Sequence, residues 1–185
     1  ETKLIKKLYI LIPMVIFLSC VSDVQPKPKA YFSLKYPKAN YKKIKSEFDI
    51  SFEYNSIAEL RFDQKSSRVL YPNMKATLYL NYKSVKNNLD SLLNDAYKIP
   101  YKHISKADAI PERIFINKEN DVYGTLFSII GDAASQHQFF LTDSVNHFLV
   151  GTLYFFAILN YDLIYPAVKY LEKDIIHLIE TLEWK

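Results

Sequence analysis

Residues 136 to 157, QHQFFLTDSVNHFLVGTLYFFA, constrain the fold more than any other stretch of the chain. Two runs rich in aromatic and β-branched residues flank the polar segment TDSVN. They predict a β-hairpin with strands over about Gln136 to Leu141 and His147 to Ala157. Partner strands are legible elsewhere. Phe48, Ile50, Phe52 and Tyr54 alternate with Asp49, Ser51 and Glu53, the period of a half-buried strand. In MKATLYLNYK the residues Met74, Ala76, Leu78, Leu80 and Tyr82 share one face, and Ser56 to Phe62 reads as a further strand. ERIFINKENDVYGTLFSIIGD gives a strand, a polar turn at Lys118 to Asp121, and a second strand ending at Gly131 and Asp132.

Two segments change period. Leu89, Leu92, Leu93 and Ala96 recur at helical spacing behind the capping candidates Asn87 and Asn88, which predicts a helix crossing one sheet face. Ile164, Val168, Leu171, Ile175, Leu178 and Leu182 follow at spacings of 4, 3, 4, 3 and 4, an amphipathic helix beginning near Asp162 with Pro166 in its first turn. Strands, helix, antiparallel strands and helix make an α+β chain, a mostly antiparallel sheet with helices packed on its faces. The pattern is similar to the PsbP/Mog1-like α/β/α sandwich, a likeness of architecture that does not determine function. The domain plan is a signal segment over 1–19, a basic tether with the first strand over 20–46, and a single globular α+β domain over 47–185.

Composition narrows the chemistry. With 3 Gly, at positions 124, 131 and 151, no glycine-rich phosphate loop or dinucleotide fingerprint can be assembled. The formal charge is +4, but residues 1–19 hold Lys3, Lys6 and Lys7 against Glu1. Two of those four charges therefore belong to that segment, and the +2 left is too weak to point to nucleic acid. The lone cysteine, Cys20, cannot form an internal disulfide or a CxxC zinc site. None of the four histidines falls in an HxxxH, HxH or HExxH pattern, so neither a metal nor another cofactor is expected.

Cys20 is better explained by what surrounds it. Lys3, Lys6 and Lys7 precede an apolar run from Leu8 to Leu18, and the small residue Ser19 stands directly before the cysteine. That is a secretory signal layout, with an apolar run well short of the about 20 residues of a membrane-crossing helix. It is similar to a bacterial lipobox, with Phe17 where Leu is usual. The implied modification is acylation of Cys20, and two or three acyl chains hold a protein on a membrane where one does not. Beyond it, Lys27, Lys29, Lys35, Lys38, Lys42, Lys43 and Lys45 are broken by Pro26, Pro28 and Pro37, with no acidic residue between Asp23 and Glu47. This reads as a solvated tether and edge strand, with a basic collar on anionic headgroups as the alternative.

Candidate sites are few. Tyr101, Lys102, His103, Lys106 and Asp108 form the densest polar cluster and are the expected place for a pocket or partner surface. Asp143, Ser144 and Asn146, at the hairpin tip, form a second. A Ser–His–Asp set drawn from His137, Asp143, Ser144 and His147 is disfavoured, because strand alternation puts His137 with Phe139 and Leu141 and leaves Ser144 in the turn. His177 reads as a helix-face salt bridge with Asp174 or Glu180. No catalytic residues are assigned.

Several blocks together, QPKPKAYFSLKYP, MKATLYLNYK, YKHISKADAIPE, VYGTLFSIIGDAASQHQFFLTDSVNHFLVGTLYF and DIIHLIETLEWK, resemble the GldD-type gliding-motility lipoproteins of type IX secreting bacteria. Ala30 and Val150 depart from the pattern. The resemblance implies a non-catalytic accessory or assembly component of the gliding and type IX secretion machinery. Its partners would be the membrane, through the acyl chains on Cys20, and other machinery proteins. It would face the periplasm from the cell envelope, with Val21 after the cysteine favouring the outer membrane. The alternative is a periplasmic enzyme or ligand-binding module acting on envelope material through His103 and Asp108.

Overall fold

The computed structural model describes residues 36–45, 50–63, 66–102, 104–156 and 160–185. The signal segment, Cys20, the lysine-rich stretch before Tyr36, and His103 lie outside the described residues. So do Phe48, Asp49 and Ala157, the outer ends of two expected strands.

The strands are β1 (Tyr41–Lys45), β2 (Ile50–Asn55), β3 (Glu59–Asp63), β4 (Ser66–Tyr71) and β5 (Ala76–Ser84). After helix α1 (Leu89–Tyr101) come β6 (Ala107–Ala109), β7 (Glu112–Asn117), β8 (Val122–Ser128), β9 (Ile130–Gly131), β10 (Ser135–Thr142) and β11 (His147–Phe155). Helix α2 (Tyr161–Glu180) and β12 (Glu183–Trp184) close the chain. A seven-stranded antiparallel sheet runs in the order β3-β4-β5-β11-β10-β8-β7. β1-β2-β12 form a smaller sheet, and β6 pairs with β9.

The hairpin forms where its sequence puts it, with Phe139 opposite Gly151 and Leu141 opposite Leu149. Successive strand residues point to opposite faces, and here both faces are covered. Phe127, Phe140 and Phe148 gather with Leu92 and Ala96 of α1. Their neighbours Leu126, Phe139 and Leu149 gather with Val168, Leu171, Ile175 and Leu178 of α2. The two helices therefore lie on opposite faces of the large sheet, and every residue of β10 is buried. The small sheet joins the α2 side, where Ile50 and Phe52 of β2 enter the same core. Each fully buried Phe or Leu of this kind contributes about 1.5–3 kcal/mol of transfer free energy. Strands approach so closely here that a Cβ at Gly124 would collide with the Phe140 carbonyl oxygen.

Several details differ from expectation, among them these. β4 was not anticipated, because its buried face mixes Ser67 with Val69 and Tyr71 and so hides the alternation. Met74 belongs to a 3-10 turn, Pro72–Met74, rather than to β5. Asn88 holds the N-cap position of α1, but its Oδ1 accepts the Lys86 N–H at 2.7 Å instead of capping the helix. In α2, Asn160 is the cap, accepting from the Leu163 N–H at 3.3 Å, so Pro166 falls in the second turn. Among the described residues no helix is long and apolar enough to cross a membrane.

Candidate functional site

Three segments remote in sequence meet at one end of the large sheet: the β10–β11 tip, the β7–β8 turn and β12. They line an open cleft of about 560 Å³ that includes Tyr123, Asp143, Val145, Asn146, His147 and Trp184. Glu119, Asp121 and Glu183, set against Lys185, leave its rim with an acidic balance.

The tip is stiffened from within. Oδ1 of Asp143 accepts the backbone N–H groups of Val145, Asn146 and His147 at 2.9, 2.8 and 2.8 Å. Thr142 Oγ1 accepts the Ser144 N–H at 2.9 Å and donates to the His147 carbonyl at 2.6 Å. Ser144 takes the left-handed conformation, with φ of 68°. Burial alone would raise the Asp143 carboxyl, but the three backbone donors and His147 outweigh it and hold it below the usual carboxylate range. The tip is also tied to the sheet, since the Val85 N–H donates to the Asn146 carbonyl at 2.8 Å.

The floor is aromatic. His147 Nδ1 lies 2.7 Å from the Tyr82 hydroxyl, its Nε2 4.0 Å from Asp143 Oδ2, and its ring stacks on Trp184 at 5.2 Å and 10°. Trp184 Nε1 donates to the Asp121 carbonyl at 3.0 Å, which joins β12 to the β7–β8 turn. From the other side, Glu183 accepts from Lys43 Nζ at 2.7 Å and Ser51 Oγ at 3.0 Å. Those bonds, Lys43 first, lower its carboxyl. With Asp143 occupied by backbone, Ser144 exposed and His147 engaged by Tyr82 and Trp184, the Ser–His–Asp set is not assembled. The cleft thus combines aromatic planes, a carboxylate rim and the exposed Val145.

The 101–108 segment is arranged differently. The Tyr101 hydroxyl donates to Glu112 Oε1 at 2.6 Å, a bond that raises the tyrosine's pKa. Lys102, Lys106 and Asp108 are exposed, and Asp108 sits in β6. Of the described residues of this segment, none lines the hairpin-tip cleft. Tyr82, Asp121, Tyr123 and Trp184 went unrecognised in the sequence. The signal available was that Trp184 is the chain's single tryptophan.

Two buried polar sites lie elsewhere. His137, 1% exposed, faces α2 with Nδ1 3.2 Å from Ser128 Oγ, while its Nε2 makes no hydrogen bond of good geometry among the described residues. Asp174, 4% exposed, is no surface helix residue: its Oδ1 accepts from the Tyr41 hydroxyl and its Oδ2 from Asn55 Nδ2, both at 2.9 Å. His177 consequently pairs with Glu53 of β2 at 2.7 Å rather than with Asp174 or Glu180, and stacks on Tyr41 at 3.6 Å. Among the described residues no group of three or more His, Cys, Asp or Glu could hold a metal ion.

A protein-family profile described as gliding motility lipoprotein GldD matches residues 21–184. No curated protein matches the chain.

Proposed function

The chain belongs to the gliding motility lipoprotein GldD family, and on that premise we propose that it is a non-catalytic accessory component of the gliding and type IX secretion machinery. In this reading residues 1–19 are removed as a signal, acylated Cys20 anchors the chain, and the 20–46 tether carries the 47–185 domain into the periplasm. Val21 directs the anchor to the outer membrane. The domain works by holding another machinery protein in the hairpin-tip cleft, and the carboxylate rim suits a basic segment of that partner.

The observation that carries this reading is the construction of the cleft. An exposed apolar side chain, Val145, is presented on a turn that one carboxylate braces through three backbone bonds. Preorganised loops of this kind lose little conformational freedom on binding. Val145→Arg should leave the protein level and the thermal transition unchanged while cutting partner capture from crosslinked envelopes by at least tenfold and impairing gliding. Undiminished capture with full gliding would refute the assignment. For the anchor, Cys20→Ser should abolish incorporation of radiolabelled fatty acid, and a labelled mutant would rule out acylation at this position.

A further inference from the structure

The two edges of the large sheet are finished differently. On β3, Glu59, Arg61 and Asp63 share a face, with Arg61 3.2 Å from Glu59 and Asp63 2.8 Å from Arg68. Charges so placed keep an edge from recruiting another strand. On β7 the same face carries Glu112, Ile114 and Ile116, the isoleucines 72% and 67% exposed. Nothing charged separates them.

The backbone of β7 is equally open. The Ser128 N–H donates to the Pro111 carbonyl at 3.0 Å, and the register continues with Glu112 opposite Phe127. Hydrogen-bonded and non-bonded pairs alternate along an antiparallel ladder. Arg113, Phe115 and Asn117 therefore turn their amides to β8, and Glu112, Ile114 and Ile116 turn theirs outward. Among the described residues β7 ends the sheet.

We propose that this edge pairs with the same edge of a second copy of the chain, antiparallel about a two-fold axis at Phe115. In that register Ile114 faces Ile116, Arg113 faces Asn117 and Phe115 faces its own counterpart, while Glu112 comes level with Lys118 at the start of the second copy's β7–β8 turn. The outward N–H and C=O groups of Ile114 meet those of Ile116, so the hydrogen-bonding phase is right. A slip of two residues one way sets Glu112 against Ile116; the other way sets Ile114 against Lys118. Of the three registers, the one centred on Phe115 joins opposite charges and keeps apolar opposite apolar. Tyr101, whose hydroxyl holds Glu112 Oε1, steadies the acidic end. On the opposite face, Phe115 carries the Arg113 guanidinium 5.1 Å from its ring centre and borders an open groove of about 600 Å³ that Ile179 and Glu180 complete.

The test uses the full chain with Cys20→Ser, so that introduced thiols are the only ones. Ile114→Cys and Ile116→Cys alter exposed positions and spare the core. Facing Cα atoms in a hydrogen-bonded antiparallel pair lie about 5.5 Å apart, within disulfide reach, whereas like positions across the axis lie about 8 Å apart, beyond it. An equimolar mixture of the two variants should form disulfide dimers under mild oxidation at least tenfold faster than either variant alone. In sedimentation, Glu112→Lys and Lys118→Glu should each weaken the dimer about tenfold, and the two combined should restore it. Val145→Arg should leave it intact, which separates this edge from the cleft. Equal crosslinking in the mixture and the single variants, a charge reversal that does not restore pairing, or a chain that stays monomeric and binds an extended peptide instead would overturn the proposal.

Discussion

Asp174→Ala should destabilise the fold by about 3 kcal/mol, measured by urea unfolding. The carboxylate is the shared acceptor of a buried knot beneath α2. Tyr41 and Asn55 donate to it at 2.9 Å, and the buried Tyr71 hydroxyl lies beside it. Asn55, 0% exposed, also donates to the Tyr170 hydroxyl at 2.9 Å, which in turn donates to the Pro37 carbonyl at 3.0 Å. Removing the acceptor leaves several donors without water to replace it, and unsatisfied buried groups cost more than a hydrogen bond gains. His177→Ala, which breaks the half-exposed pair with Glu53, should cost about 1 kcal/mol or less. If Asp174→Ala costs no more than His177→Ala, the knot is not what holds β1 and β2 to α2.

The second large effect is a loss of stability in acid caused by His137. Burial lowers this imidazole from 6.5 to about 4. Glu172 and the Val168 carbonyl pull the other way and Lys169 adds to the lowering, all three from α2, while Ser128 of β8 touches Nδ1. The group is neutral when folded and takes up a proton more readily when unfolded. Its contribution is therefore complete above pH 6.5 and is lost as the pH falls towards about 4. Between pH 7 and 4.5 the wild-type chain should lose about 2–3 kcal/mol more than His137→Gln does. Asp174, raised by burial, acts in the opposite sense, favouring the fold at low pH, so the comparison with His137→Gln isolates the histidine. Parallel pH profiles for the two proteins would show that His137 is not the titrating group.

How far the sequence could be read depended on whether a residue's environment is local. Period-2 runs such as Ala76 to Leu80 and the hairpin strands became strands because one face of each had to be buried, and that demand is written in every second residue. The 4, 3, 4, 3 spacing of α2 likewise became a buried stripe, ending at Glu180 with Leu182 buried just past it. Ser67 broke the pattern of β4 because it is a buried polar residue, and Ser51, on the face of β2 expected to be polar, is buried as well. Local spacing misled for Asp174: three residues before His177 it looked like an exposed ion-pair partner, yet it lies against β2, whose nearest residue in the network is 119 positions away.

The candidate site divides in the same way. The hairpin tip was legible because Asp143, Ser144 and Asn146 are turn residues between two apolar runs, and the turn's own bonds form within a few positions. Its aromatic floor was not, since Trp184 reaches His147 only after α2 returns the chain and β12 pairs with β2 at Ile50.

The sequence by itself determined the α+β class, the β10–β11 hairpin and the amphipathic helices, which follow from residue type and short-range period, while the family is carried by the blocks of resemblance along the chain. The tertiary structure decided which side chains share a site: Trp184 beside His147, Tyr41 and Asn55 around Asp174, and Ile114 and Ile116 on an open edge. Those placements depend on how strands remote in sequence pair and pack, which is a property of the whole chain rather than of any one segment.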